Sequence, residues 1–400
     1  MITSRLEKFF DKFNPKKLFS RISDLRHQSY VDRTLGYSLE VVAKGLVSGI
    51  STLPALELFS ESLGVRVPAS TLKFHLRHTE AESLKKKVAS SVKEAARAHK
   101  LTRGGPLPFH LTALDGKRIA SSRSNTSAAA QKQEENRYEH NALRALCASS
   151  ATPVFLGQQM IPGETGESTQ VIPFVDELAV LYKHTTLLDV FSLDAGLSSQ
   201  DNYTGIIERG YRCIARIKGN RGKIYDQIKD LFSDNDDPKH VTTETRNGKT
   251  VKRELWTSCE TYELSWKDIA QAWYIRQTTT DHRTGTSDTI HKYYATNIKA
   301  GLLTCSQILA AVRNMWAIEN KGFFNLDYSF VEDDFPLASH ASEVTGLLRL
   351  LMFNHIMLYI SRTTLGIKRV LTLKEVFQQL LMHWHIFMQR FPERQNAAFV

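Results

Sequence analysis

Apolar residues recur at helical spacing through the first quarter of the chain and give way to short alternating runs after residue 106. The pattern divides the sequence into an α-helical opening and a mixed α/β body. Ser38 to Val47 and Thr52 to Leu63 read as helices, the second capped by Thr52 with Pro54 in its first turn. Gly64 breaks the chain, and Ser70 is expected to cap a third helix that runs to His78 and shows Lys73 and Arg77 on its surface. Helix, short turn with glycine, helix is the outline of a helix-turn-helix, although ordinary helical bundles share it. A long polar helix from about Glu80 to His99 leads into Thr102-Arg103-Gly104-Gly105-Pro106, a cluster that marks a domain boundary.

Beyond that boundary Phe109 to Leu114, Asn141 to Ser149 and Pro153 to Ile161 read as strands, and Ser121 to Gln133 as a loop rich in Ser, Ala and Gln. Val171 to Tyr182 is an amphipathic helix and Thr185 to Leu193 a strand. Asn202 to Arg209 is helical, Tyr211 to Lys218 a strand and Gly222 to Phe232 a helix. This order predicts an RNase H-like core, a mixed sheet with helices on both faces. Residues 240 to 298 turn β-rich, with strands expected at Arg253 to Leu264, Gln271 to Thr279 and Ile290 to Asn297, and are read as an insertion. Helix returns at Leu302 to Phe324, followed by Ser342 to Ser361 and Leu373 to Phe391, where His383 and His385 lie on an apolar stripe. The expected domains are thus 1–106, basic and all-α; 107–239, the first part of the core; 240–298, the β insertion; 299–341, a core helix; and 342–400, C-terminal helices.

Charge sharpens this division. The net charge is +10, and residues 1 to 106 hold 19 Lys plus Arg against 10 Asp plus Glu, so nearly all of the excess lies in the helical opening. A basic module on a near-neutral body points to a polyanion partner. Composition is that of an ordinary globular chain. The longest apolar run, Gly346 to Ile360, contains Arg349, Asn354 and His355, so neither a membrane span nor a secretory signal is expected. Cys147, Cys213, Cys259 and Cys305 are too scattered for zinc pairs or a disulfide framework and are expected as reduced core thiols.

Two aspartates stand where apolar strands are expected to end, Asp115 before Gly116 and Asp194 before Ala195. Adjacent strands would deliver both carboxylates to one place, with a repulsion on the order of 4 kcal/mol at about 4 Å and an effective dielectric near 20. Protonation of one, or capture of Mg²⁺ or Mn²⁺, would relieve it. A third carboxylate is offered by Glu319, which continues the apolar stripe Ile308, Val312, Met315, Trp316 at helical spacing and is therefore expected on the buried side of its helix. Asp327, Glu332 and Asp333 compete for that role. Strand-end aspartates also serve as turn formers, and a glutamate beside an apolar stripe is often a boundary residue.

The segment Arg313-Asn314-Met315-Trp316-Ala317-Ile318-Glu319-Asn320, followed by Leu326-Asp327-Tyr328-Ser329-Phe330-Val331-Glu332-Asp333, closely resembles the C-terminal signature of the H-repeat-associated branch of bacterial insertion-sequence DDE transposases. Leu114-Asp115-Gly116-Lys117 looks like the first-acid strand of that family, Leu193-Asp194-Ala195-Gly196 like the second, and Ile217-Lys218-Gly219-Asn220 like its Lys-Gly-Asn segment. Met315 stands where the family usually has His, and Arg221 where Gln usually follows.

The resemblance implies an RNase H-like nuclease and strand transferase with Asp115, Asp194 and Glu319 as ligands of two Mg²⁺ ions, Mn²⁺ being a substitute. It implies cleavage of DNA at the terminal inverted repeats of an element and 3′-OH strand transfer into target DNA. A homodimer or larger assembly on DNA and a cytoplasmic, nucleoid-associated place in a bacterium are also implied. Lys117, Arg216 and Lys218 are candidate DNA contacts beside the acids, and Lys73 and Arg77 candidate base contacts in the helical opening. Two alternatives stay open: an inactive or domesticated DNA-binding descendant, and an RNase H-like nuclease that cuts without joining.

Overall fold

The computed structural model describes residues 18–19, 22–25, 34–50, 52–123, 127–233, 237–330, 332, 338–363, 375 and 378. Asp333 and, apart from residues 375 and 378, the expected last helix with His383 and His385 lie outside them. Among the described residues ten strands form one sheet. They are β1 (Leu111–Ser122), β2 (Ala130–Glu134), β3 (Arg137–Cys147), β4 (Val154–Met160), β5 (Val190–Leu193), β6 (Arg212–Ile217), β7 (His240–Arg246), β8 (Lys249–Ser258), β9 (Gln271–Asp281) and β10 (Ser287–Thr296).

The sheet runs β2-β3-β1-β5-β6-β10-β9-β8-β7, with β4 also on β3. β3 is antiparallel to β1 and to β4, whereas β5 is parallel to β1 and β6 parallel to β5. The run β4-β3-β1-β5-β6, with a helix leading into each parallel strand, is the RNase H-like core that the sequence predicts. β5 is buried along its whole length, as a parallel strand covered on both faces must be. The inserted strands do not stand apart: β10 pairs antiparallel with β6, so the meander β10-β9-β8-β7 lengthens the core sheet.

Several elements differ from expectation. β1 does not stop before Asp115 but continues seven residues beyond it, because pairing with β3 extends to Ser122 after the pairing with β5 has ended at Leu114. β2 occupies part of the expected Ser121 to Gln133 loop. The expected strand Thr185 to Leu193 contracts to Val190–Leu193, the preceding residues forming the turn in which Thr185 N–H bonds to Tyr182 O at 3.1 Å. The strand expected at Arg253 to Leu264 starts earlier, at Lys249, and ends at Ser258. Asn247 and Gly248 take φ of 52° and 72° and close a two-residue hairpin from β7.

Helices α1 (Leu35–Val47), α2 (Leu53–Ser62), α3 (Ala69–Arg77), α4 (Ala81–Arg97), α5 (Val171–Leu181), α6 (Gln200–Glu208), α7 (Lys223–Asp230), α8 (Cys305–Met315), α9 (Phe324–Phe330) and α10 (Ala338–Thr363) surround this sheet. Thr52 caps α2 as expected, its side chain accepting from Ala55 N. Ser70 does not cap α3. Pro68 precedes the helix, and Glu57 of α2, held by Arg66, accepts from Ala69 N at 2.8 Å instead. Lys73 and Arg77 are exposed on α3, whose other side is fixed by His75 Nδ1 at 2.6 Å from Ser38 Oγ of α1.

Helices α5, α6 and α7 pack with Leu114, Leu143 and Phe191 on one side of the sheet. On the other, α8 covers Leu111, Val190 and Trp273, while α10 and the helical opening share a core with Ala113, Leu146 and Phe155. Residues 341–361 of α10 are long and apolar enough to cross a membrane, but 72% of that window is buried against this core. Asn354 there accepts from Phe155 N at 2.7 Å and donates to Phe155 O at 2.8 Å, satisfying backbone groups of edge strand β4. Cys147 and Cys213 are buried thiols, but Cys259 is exposed and Cys305 half-buried, so only two of the four are core residues.

Candidate active site

The sheet delivers the first two acids to one place. Asp115 lies one residue past the last β1–β5 pair, Leu114↔Leu193, and Asp194 follows Leu193 directly. Both carboxylates thus sit where the parallel pairing ends, fixed by fully buried strands behind them. The loop after Asp194 is held tightly: Ser198 Oγ donates to Asp194 O at 2.9 Å, and Arg221 donates to Ala195 O and Gly196 O, each at 2.6 Å from Nη2. Arg221, the residue that departs from the family pattern, therefore pins this loop.

The third acid arrives differently from expectation. Thr304 and Gln307 form a capping box that starts α8, and Ile308, Val312 and Met315 are buried as the stripe predicts. The helix does not run on to Phe324. After Met315 it widens into a π-helical turn, Ile318–Phe323, before α9. The extra residue per turn places Ile318 and Phe323 in the core and leaves Glu319 exposed, so the expected burial of Glu319 is not met. Single π turns are common at functional sites. This one turns Glu319 toward the end of the β1–β5 pairing.

Asp115, Asp194 and Glu319 line one cavity with Leu114, Ser192, Arg216, Met315, Trp316 and Ile318. Burial, then the charges of Glu319 and Asp194, push the Asp115 carboxyl up to about 7. Partial desolvation at the cavity mouth, then the charge of Asp194, likewise raise Glu319, with Arg216 and Lys218 opposing. Asp194 is paired with Arg216, whose Nη1 lies 3.0 Å away, and the Arg216 guanidinium stands 4.9 Å from the Trp316 ring centroid. Among the described residues no three His, Cys, Asp or Glu side chains stand close enough to hold one ion as a set. The donor chemistry still suits a hard cation: Mg²⁺ is ordinarily bound through one or two carboxylates, with water and substrate phosphate completing its shell.

The other candidates separate. Arg216 is in the cavity wall, and Lys218 is exposed but close enough to act on Glu319. Lys117 turns to Asp327, 2.5 Å away, and lies over the Phe323 ring, so it braces β1 against the π turn and α9. Lys73 and Arg77 are not among the cavity residues. Of the competing acids, Asp327 is thus engaged by Lys117, and Glu332 is fully buried with Arg144. Sequence reasoning missed Glu167, whose carboxylate lies within 2.3 to 2.5 Å of where a Gly116 Cβ would project and whose charge also raises Asp115. A side chain at position 116 would displace the Glu167 carboxylate from this place.

A pH dependence follows from Asp115. Its folded pKa of about 7 exceeds the ordinary carboxylate value of 3.8, so between about pH 4 and 7 the folded state holds a proton that the unfolded state has lost. Stability of the metal-free protein is expected to fall by about 2 to 3 kcal/mol as pH rises from 5 to 8. Urea melts with chelator at the two pH values should show this loss, and Asp115→Asn should flatten it.

The family model of the transposase DDE domain matches residues 108–325. A search of curated proteins gives no match. Among solved structures, the cryo-EM structure of the piggyBac transposase synaptic complex with hairpin DNA aligns with a TM-score of 0.45 and 11% identity, covering 96% of this chain and 78% of that one.

Proposed function

This chain belongs to the transposase DDE domain family, whose model covers more than half of it, and from that premise we propose that it cleaves the ends of an insertion sequence and joins the freed 3′-OH to target DNA with Mg²⁺. The observation that carries this reading is that Asp115, Asp194 and Glu319, far apart in sequence, line one cavity. These three would hold Mg²⁺, or Mn²⁺ in its place. The bound ions would sharpen the attacking oxygen as a nucleophile and stabilise charge on the leaving 3′ oxygen.

The protein's own part is positional and electrostatic. The end of the β1–β5 pairing fixes Asp115 and Asp194, and the π turn brings Glu319 to them. Arg216 neutralises Asp194 in the free protein and supplies positive charge beside the scissile phosphate when DNA is bound. Lys218 adds charge at the rim. A pre-cut element end with a 3′-OH, incubated with Mg²⁺, plasmid and this protein, should give joined product. Nicking alone would instead indicate a nuclease that does not transfer strands.

The helical opening supplies DNA affinity in this reading, with α2 and α3 as a helix-turn-helix and Lys73 and Arg77 toward base edges. Affinity should be steeply salt-dependent. The Lys73→Glu, Arg77→Glu double variant should lose end-specific binding in a gel shift, by about a hundredfold given two such contacts. Undiminished binding would remove α3 from the interface. Synapsis of two ends implies at least a dimer on DNA.

One observation favours a second reading, a DNA-binding descendant without catalysis: Asp194 is already neutralised by Arg216. That reading requires DNA binding with no product under any metal.

A further inference from the structure

Another cation stands near the site. Lys292, on β10, has its Nζ 5.7 Å from the centroid of the Trp316 ring, the indole that Arg216 also faces. Strand register explains the meeting. Tyr294 pairs with Arg216, so Lys292, two residues before Tyr294, projects from the same face of the sheet one diagonal step farther out. It is half-buried, and its hydrogen-bond partner is neutral, Gln277 Oε1 at 3.2 Å.

Its neighbours carry the same sign. Arg216 is matched by Asp194, and Arg253 by Glu244 at 3.4 Å, but among the described residues no carboxylate pairs with Lys292. Burial, then the charges of Arg216 and Arg253, push its ammonium down to about 8. A partly desolvated cation between two guanidiniums is unfavourable unless an anion joins it. The Trp316 ring and the neutral Gln277 oxygen offset that cost only in part, whereas an arriving anion would meet two cationic donors that share one flat apolar surface.

We infer that Lys292, with Arg216 beside it and the Trp316 indole as its floor, forms a subsite for a DNA backbone phosphate, on the strand that continues from the acid cavity across the inserted strands. The inference rests on the transposase reading and extends its DNA path onto β10. A phosphodiester fits because it brings one negative charge and two acceptor oxygens to Lys292 and to Arg216, which lies in the cavity wall.

The test uses the full chain and a labelled 40-base-pair duplex taken from DNA flanking the coding region, ending in a recessed 3′-OH. Its Kd is measured across a range of salt concentrations for wild type, Lys292→Met and Lys292→Arg. Lys292→Met should weaken binding about five- to tenfold at low salt and reduce the slope of log Kd against log salt by about 0.9, the signature of one lost phosphate contact. Lys292→Arg should keep the wild-type slope. The melting temperature of Lys292→Met should not fall, since no ion pair is lost. An unchanged slope in Lys292→Met, or an equal loss in both variants, would overturn the subsite while wild type still joins ends. Wild-type protein that neither binds nor joins the duplex would remove the underlying transposase reading as well.

Discussion

Asn in place of Asp115 is expected to reduce end cleavage and joining by at least about a thousandfold, close to 4 kcal/mol in the barrier, while DNA affinity stays within about threefold. The substitution keeps the shape of the side chain, and the Gly116 N–H at 3.0 Å can still find an acceptor oxygen. It deletes the charge that draws a cation to the end of the parallel pairing. Glu319→Gln should behave the same way although Glu319 sits on a different element. The separation of activity from binding is informative, because a general loss of folding would lower both. Single-turnover joining of a pre-cut end, run beside a filter-binding titration, measures the two together. Joined product at a tenth of the wild-type rate would remove Asp115 from the chemistry.

Arg144→Met should destabilise the protein by about 3 to 5 kcal/mol, the cost of removing the principal partner of a buried carboxylate. Arg144 and Glu332 are both fully buried, and the guanidinium donates to both carboxylate oxygens at 2.7 Å. Burial alone would raise the Glu332 carboxyl, but Arg144 and Arg349 outweigh it and hold it below the usual range. Arg144 also donates to Gln158 Oε1 at 3.1 Å, and Gln158 Nε2 donates to Glu343 O at 2.9 Å. The network thereby ties β3 and β4 to α10 behind the strands that carry the acids. Chemical denaturation should register the loss for Arg144→Met. Arg144→Lys, which keeps a positive charge beside Glu332, should lose less.

The parts of the fold written in periodicity were legible. β5 and β6, α5 and α6 follow from apolar runs and helical spacing, and with them the position of Asp194 after a buried strand. The exposed side of α3 was also legible, because Lys73 and Arg77 are four residues apart on one helical face. The end of β1 was not. Asp115-Gly116 looks like a strand end, yet a long antiparallel partner carries β1 onward, and that pairing is a tertiary fact. Asn247-Gly248 did announce a hairpin and was overlooked, so β8 was expected to begin too late.

The site shows the same limits. Resemblance in the Trp316 to Asn320 segment pointed to Glu319, but helical spacing placed it on the buried side, where it does not lie. A π turn depends on how Ile318 and Phe323 pack, and a 3.6-residue period cannot reveal it. Glu167 and Lys292 were invisible for another reason: they come near Asp115 and Arg216 only through a crossover and a strand pairing. Lys117 is two residues from the first acid, but its partner Asp327 lies 210 residues away and no local pattern links them.

The central claim is that the three acids share divalent cations once DNA is bound. Its most direct measurement is Mn²⁺ uptake by the protein–DNA complex, followed through the electron paramagnetic resonance signal of the free ion. Wild-type complex should take up Mn²⁺ that the Asp115→Asn, Asp194→Asn, Glu319→Gln triple variant does not, at equal DNA occupancy. Equal uptake by the two complexes would contradict the claim.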